Sequence, residues 1–127
     1  ATWPESTIYA NILVIQSFTL NRVYTEWYRA KGYSFTITSS TAYDQKFIYG
    51  RNIYSNIDRL VDSIFANYLS RPGVRQPIFT SYCDGNRVSC QGLSQWGSKY
   101  LPLLLRQRHV YQRSPGHQRR PVLLAWL

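Results

Sequence analysis

Acidic residues are scarce in this chain. Six Asp and Glu stand against fifteen Lys and Arg, with two histidines, two cysteines and no methionine. The few Cys and His lie in unrelated contexts, which argues against a zinc site, and nothing in the pattern calls for a cofactor. The few carboxylates have ordinary explanations. Asp58 and Asp62 lie four apart on the polar face of a helix and read as solvated, Glu5 reads as a helix-start residue, and Asp44 and Asp84 read as turn residues. No pair of carboxylates is presented for acid/base work. No apolar run approaches the roughly 18 residues that a membrane-spanning helix requires. Neither a Met start nor a charged segment leading into an apolar one opens the chain, so it reads as a fragment or a mature form without a signal peptide.

What is present suits one domain. With 127 residues, of which 44% are hydrophobic and 16% aromatic, a single fold can bury roughly two-thirds of its unfolded surface. The net charge of +9 is uneven: residues 1–100 hold ten Lys/Arg and all six acids, net +4, while residues 101–127 hold five Arg and no acid, net +5. The chain therefore divides into a mixed part, 1–100, and an aberrant basic and apolar tail, 101–127.

Residues from Pro4 and Glu5 to about Lys31-Gly32 predict a long helix. Pro4 suits the first turn, and Gly32 stands where helices stop. Ile8, Ile12, Ile15, Val23 and Trp27 keep helical spacing, and Leu13, Val14, Phe18 and Leu20 widen the apolar face, so this helix should be central and held by burial. Tyr33 to Ile37 and Tyr43 to Tyr49 predict two short strands around a Ser/Thr turn. Ser55 to Leu69 predicts a second, strongly amphipathic helix, with Ile57, Leu60, Val61, Ile64, Phe65, Tyr68 and Leu69 on one face. Pro77 to Tyr82 predicts a strand that leaves toward a loop. The fold class expected is α+β, with a long N-terminal helix and a second amphipathic helix packed with short, mostly antiparallel strands.

The loop after that strand carries Cys83 and Cys90, which flank six residues. The pair can close as a disulfide in an oxidising compartment or stay as two thiols, and the spacing does not choose. Gly92 and Gly97 enclose Leu93-Ser94-Gln95-Trp96, a tight backbone path that presents polar side chains at the mouth of a helix. The high Tyr and Trp content suits stacking on sugar rings and core packing alike.

At these residues the chain resembles a known family. Gly92-Leu93-Ser94-Gln95-Trp96-Gly97 is similar to the Gly-Met-Ser-Gln-(aromatic)-Gly signature of the SpoIID/LytB domain, named for the stage II sporulation protein D. Trp3-Pro4, Ile8, Ala10, Asn11, Leu13, Ser17 and Phe18 fall without gaps on that family's Trp-Pro-x-Glu-Ala-Leu-Lys-Ala-Gln-Ala-x-Ala-Ala-Arg-Thr-Tyr helix. Tyr43-Asp44-Gln45 resembles its Asp-Gln-x-Tyr segment, and Pro77-Ile78-Phe79 its strand before the signature. The resemblance covers residues 1 to about 100. It implies a bacterial cell-wall protein, secreted or in the envelope, related to lytic transglycosylases that cleave peptidoglycan glycan strands. In that chemistry one glutamic acid protonates the glycosidic oxygen and then takes a proton from the sugar 6-hydroxyl. The resemblance puts that glutamate a few residues before Trp3-Pro4, upstream of Ala1, so the chain itself is expected to bind or remodel glycan without cleaving it. It carries over Ser94 and Gln95 as groove-lining residues, with Trp96 beside them, and Trp3 and Gln16 join them as substrate-binding candidates. Gln16 stands where the family has Arg or Lys, which replaces a charge facing substrate with an amide. Ser6 and Tyr9 depart from the family's Glu and Lys. Val88-Ser89-Cys90-Gln91 replaces a His-Gly run, and the zinc site of some members is absent.

The tail departs entirely. Back-translated and read one base out of frame from Pro102, permitted codons spell RYYYGNDMYI and then NAAQAISGVPSSWPG, which resembles the family's aromatic-rich C-terminus. Residues 101–127 are therefore expected to be out of frame. A competing reading makes Arg106 to Arg120 a nucleic-acid contact, although no recognised nucleic-acid fold accompanies the charge.

Overall fold

Residues 5–24 contain neither proline nor glycine, so nothing local interrupts a helix there. The structure, a computed structural model, describes residues 2–51, 53–87 and 91–99. Within them lie helix α1 (Glu5–Tyr24), a 3-10 turn (Arg29–Lys31), helix α2 (Ser55–Ile64), strands β1 (Tyr82–Cys83) and β2 (Leu93–Ser94), and a helical turn at residues 95–99. This is a mixed α+β arrangement. Among the described residues no helix is long and apolar enough to cross a membrane. The tail at 101–127 lies outside the described residues.

α1 is the central post, as expected. Leu13 is fully buried, and Ile12, Leu13 and Ile64 form a core onto which Ile8, Tyr9, Ile57, Leu60, Val61 and Leu69 pack. The face that α1 buries is partly polar: Thr7, Ser17, Asn21 and Arg22 are also buried. Each reaches out to hold another segment. The Ser17 hydroxyl accepts from the Leu69 N–H at 2.8 Å, and the Asn21 amide donates to the Pro77 carbonyl at 2.8 Å. The Thr80 hydroxyl donates to the Val14 carbonyl at 2.6 Å. Side-chain hydrogen bonds thus do for the irregular segments what sheet ladders do elsewhere.

The helix ends at Tyr24 rather than near Lys31. Glu26 takes a φ of 48°, and the N–H groups of Glu26 and Trp27 donate back to the carbonyls of Val23 and Arg22 at 3.2 and 3.3 Å. This is the Schellman stop, with Glu where Gly is usual. It folds Trp27 back over Arg22, whose guanidinium carbon lies 4.7 Å from the indole centroid. Val23 and Trp27, expected to be buried, are therefore exposed. Gly32, with φ 88°, closes the 3-10 turn that follows.

The strands expected over 33–37 and 43–49 are not formed. The segment closes on Asp44 instead. Its carboxylate accepts from the Tyr28 hydroxyl at 2.6 Å, from the Thr38 N–H at 3.0 Å and from the Thr38 hydroxyl at 2.9 Å, and it pairs with Arg22 Nε at 2.7 Å. A charge that collects four donors fixes a loop without a partner strand. α2 likewise stops at Ile64, before the expected Leu69, which leaves Phe65 exposed.

β1 and β2 pair in parallel, Tyr82 with Leu93 and Cys83 with Ser94. This corrects the expectation of mostly antiparallel strands. Among the described residues the antiparallel pairing is an isolated bridge between Ser70 and Pro77. Parallel neighbours usually need a crossover of a dozen or more residues, and here the connection is nine, 84–92. The Asp84 carboxylate tightens its start by accepting from the N–H groups of Asn86 and Arg87, both at 3.1 Å. Cys83 is disulfide-bonded; the sequence has one other cysteine, Cys90, which lies outside the described residues.

Candidate functional site

The corner at residues 92–98 is built around close backbone approach. A Cβ on Gly92 would overlap the carbonyl of Ser81, the same carbonyl that accepts from the Leu93 N–H at 3.1 Å. Only glycine lets the two chains meet there. Ser94 then caps the helical turn: its hydroxyl accepts from the Gly97 N–H at 2.8 Å, the usual bond of an N-cap serine. The Trp96 N–H donates to the Asp84 carbonyl at 3.0 Å. Beneath the corner, Tyr82 meets Phe18 edge to face, and burial pushes its phenol up to about 12.

Ser98 docks this corner onto α1. The Thr7 hydroxyl donates to the Ser98 carbonyl at 3.1 Å, and the Asn11 amide donates to the Ser98 hydroxyl at 2.8 Å. That hydroxyl donates in turn to the Gln95 carbonyl at 2.7 Å. Ser98 is almost fully buried, and its bonds to Thr7, Asn11 and Gln95 form one connected set.

The docking brings the two ends of the described chain together. The rings of Trp3 and Trp96 meet edge to face with centroids 5.3 Å apart, and Lys99 Nζ lies 5.9 and 5.5 Å from the two centroids. Trp3 and Gln95 line one hollow of about 290 Å³, floored by Ile8, Ile12, Ile15 and Ile57 and completed by Asn11.

No family model, curated protein or solved structure matches the chain.

The other three residues singled out from the sequence do not line this hollow, and Trp96 reaches it only through its contact with the Trp3 ring. The Ser94 hydroxyl is turned to its cap. Gln16 sits further along α1 and donates from Nε2 to the Phe65 carbonyl at 3.1 Å; its Oε1 is buried without a hydrogen-bond partner. Among the described residues no group of His, Cys, Asp and Glu could hold a metal ion. Sequence reasoning missed Thr7, Asn11 and Ser98. The available signal was polar side chains four apart, Thr7 and Asn11, on the face of α1 that also carries Phe18.

Chemically, the hollow offers a flat indole wall, an aliphatic floor and two side-chain amides. An indole suits the C–H face of a sugar ring, and amides suit its hydroxyl and acetamido groups.

Proposed function

We propose that this chain is a SpoIID/LytB-like domain of a secreted or envelope-bound bacterial protein, and that it binds peptidoglycan glycan strands in the hollow shared by Trp3 and Gln95. The observation that carries the reading is the meeting of two sequence-distant motifs. Trp3-Pro4 and Gly92 to Gly97 resemble the family independently, and their residues line a single hollow, with Trp3 and Trp96 in ring contact. Nothing about a chance likeness at one motif requires contact with the other.

The reading is one of binding without cleavage for the chain itself. No carboxylate lines the hollow among the described residues, and glycosidic cleavage needs a proton donor within reach of the scissile oxygen. Insoluble peptidoglycan should retain the 127-residue chain and release no anhydro sugar. Trp3→Ala should lower retention about tenfold, in line with the loss of the one indole that walls the hollow. Equal retention of the variant, or release of anhydro product by the wild type, contradicts the reading.

A further inference from the structure

Between α1 and α2 the fold leaves a row of large apolar side chains in water. Tyr43, Phe47, Ile48, Tyr49, Ile53 and Tyr54 are all exposed, Tyr49 to 92%. Single exposed apolar residues are ordinary, whereas a contiguous set marks a contact surface. The segment is fastened at both ends. At its start Gln45 donates from Nε2 to the Ile15 carbonyl of α1 at 3.3 Å. At its end the Tyr54 carbonyl accepts from the N–H groups of Ile57 and Asp58 in the first turn of α2, both at 3.0 Å. In between, the Arg51 N–H donates to the Ile48 carbonyl at 3.4 Å and Gly50 takes a φ of 70°, which closes a tight turn with glycine in its third place. Tyr49 stands at the apex. Lys46 and Arg51 lie on either side of it, both exposed, and no Asp or Glu falls between Gln45 and Ile57. Among the described residues the ion pair present is Arg22 with Asp44, so neither of these cations is paired with a carboxylate there.

We propose that this turn is a membrane-docking tip, which sets Phe47, Ile48 and Tyr49 into the boundary of an anionic lipid surface while Lys46 and Arg51 engage the headgroups. The inference is independent of the glycan-binding reading. Aromatic rings favour the headgroup boundary, and lysine and arginine reach the phosphates beside it. Other occupants suit the tip less well. A second copy meeting it about a twofold axis would set Lys46 and Arg51 against like charges. A protein partner of ordinary affinity covers about 20 residues or more on each side, far more than one turn presents. A sugar ring calls for a concave wall, and an apex as exposed as Tyr49 has none. A bilayer asks for no matching shape, and its anionic headgroups attract a tip that carries two cations and no acid.

The test is flotation of the full chain with vesicles of phosphatidylcholine alone and of an equimolar mixture of phosphatidylcholine and phosphatidylglycerol. The wild type should float with the mixed vesicles, less so as salt is added. Lys46→Gln and Arg51→Gln should each weaken binding about fivefold, and Phe47→Ser with Tyr49→Ser should weaken it about tenfold or more. Because these side chains are exposed, the variants should melt with the wild type. Tyr49→Trp reads the location directly: the emission it adds should shift to the blue on mixed vesicles and be quenched by brominated lipid. Failure of the wild type to float with the mixed vesicles overturns the proposal. So does binding that survives Phe47→Ser with Tyr49→Ser, which would place the contact elsewhere in the chain, or an added emission at Trp in place of Tyr49 that lipid leaves unchanged. Retention on peptidoglycan should be the same in all these variants, so failure of the tip leaves the glycan reading standing.

Discussion

Arg22 Nε and Asp44 Oδ1 lie 2.7 Å apart, and the Asp44 side chain is fully enclosed. The pair ties the end of α1 to the loop at 38–44. The guanidinium is also ringed by aromatics, with its carbon 4.7 Å from the centroids of both Trp27 and Phe79 and 5.3 Å from that of Phe18. Removing one partner strands the other charge in that enclosure. Asp44→Asn should therefore cost about 3 kcal/mol, the scale for a broken buried pair. Urea unfolding at neutral pH checks it, and a loss under about 1 kcal/mol would show that water reaches the pair.

Stability should fall at both ends of the pH scale for separate reasons. Burial pushes Asp44 up, but hydrogen bonds from Tyr28, Thr38 and Arg22 outweigh it, and its pKa is lowered from 3.8. The folded state then keeps the carboxylate ionised where the unfolded chain binds a proton. Its contribution is complete above about pH 4 and is lost as the pH falls through the lowered pKa. Tyr82 is opposite in sign. Burial raises it from 10.0 to about 12, so its contribution is complete below pH 10 and disappears between 10 and 12. Tm against pH should show both limbs. Asp44→Asn should flatten the acid one, and Tyr82→Phe the alkaline one in part, because burial and Asp44 raise Tyr28 as well.

The helices were legible in the sequence because apolar periodicity is a local signal. Ile57, Leu60, Val61 and Ile64 announce α2, and α1 follows from the spacing of Ile8, Ile12 and Ile15. The ends were not legible. The stop at Glu26 depends on Trp27 finding Arg22, which no pattern within α1 encodes. The strand pattern at 33–49 misled for a related reason. Alternation of polar and apolar residues predicts strands only when a partner strand supplies the hydrogen bonds, and here the Asp44 carboxylate takes the Thr38 N–H instead. At the site, Trp3, Gln95 and Trp96 came from motif likeness. Asn11 and Ser98 were missed because a polar residue on a buried helix face looks like noise until its partner across the fold is known.

Gly92→Ala tests the corner. The added methyl would sit on the Ser81 carbonyl, so β1 and β2 must separate or the loop must shift. Destabilisation of about 2 kcal/mol or more is expected, as for overpacking against backbone. Gly50→Ala is the control: its φ of 70° also disfavours a side chain, but a Cβ there meets nothing within 4 Å. Its cost should stay near 1 kcal/mol. Thermal melts of the two variants make the comparison.

Ser98→Ala removes the hydroxyl that joins Asn11 to Gln95. It leaves one N–H of the half-buried Asn11 amide without its partner, a loss of about 1 kcal/mol. Since Ser98 touches no ligand in this account, its effect on glycan retention should come through the position of Gln95. Binding should weaken even below the melting range of the variant. Full retention by the folded variant would detach the network from the site.

The central claim is that the sugar binds in the hollow walled by Trp3, against whose ring Trp96 packs. The most direct measurement is a titration of the full chain with soluble peptidoglycan glycan strands, followed through the indole N–H resonances assigned by single substitutions. Signals of Trp3 and Trp96 should move together with one saturation curve, while that of Trp27, exposed but packed on Arg22 and Lys31, stays in place. Movement of Trp27 alone, or of none of the three, contradicts the account.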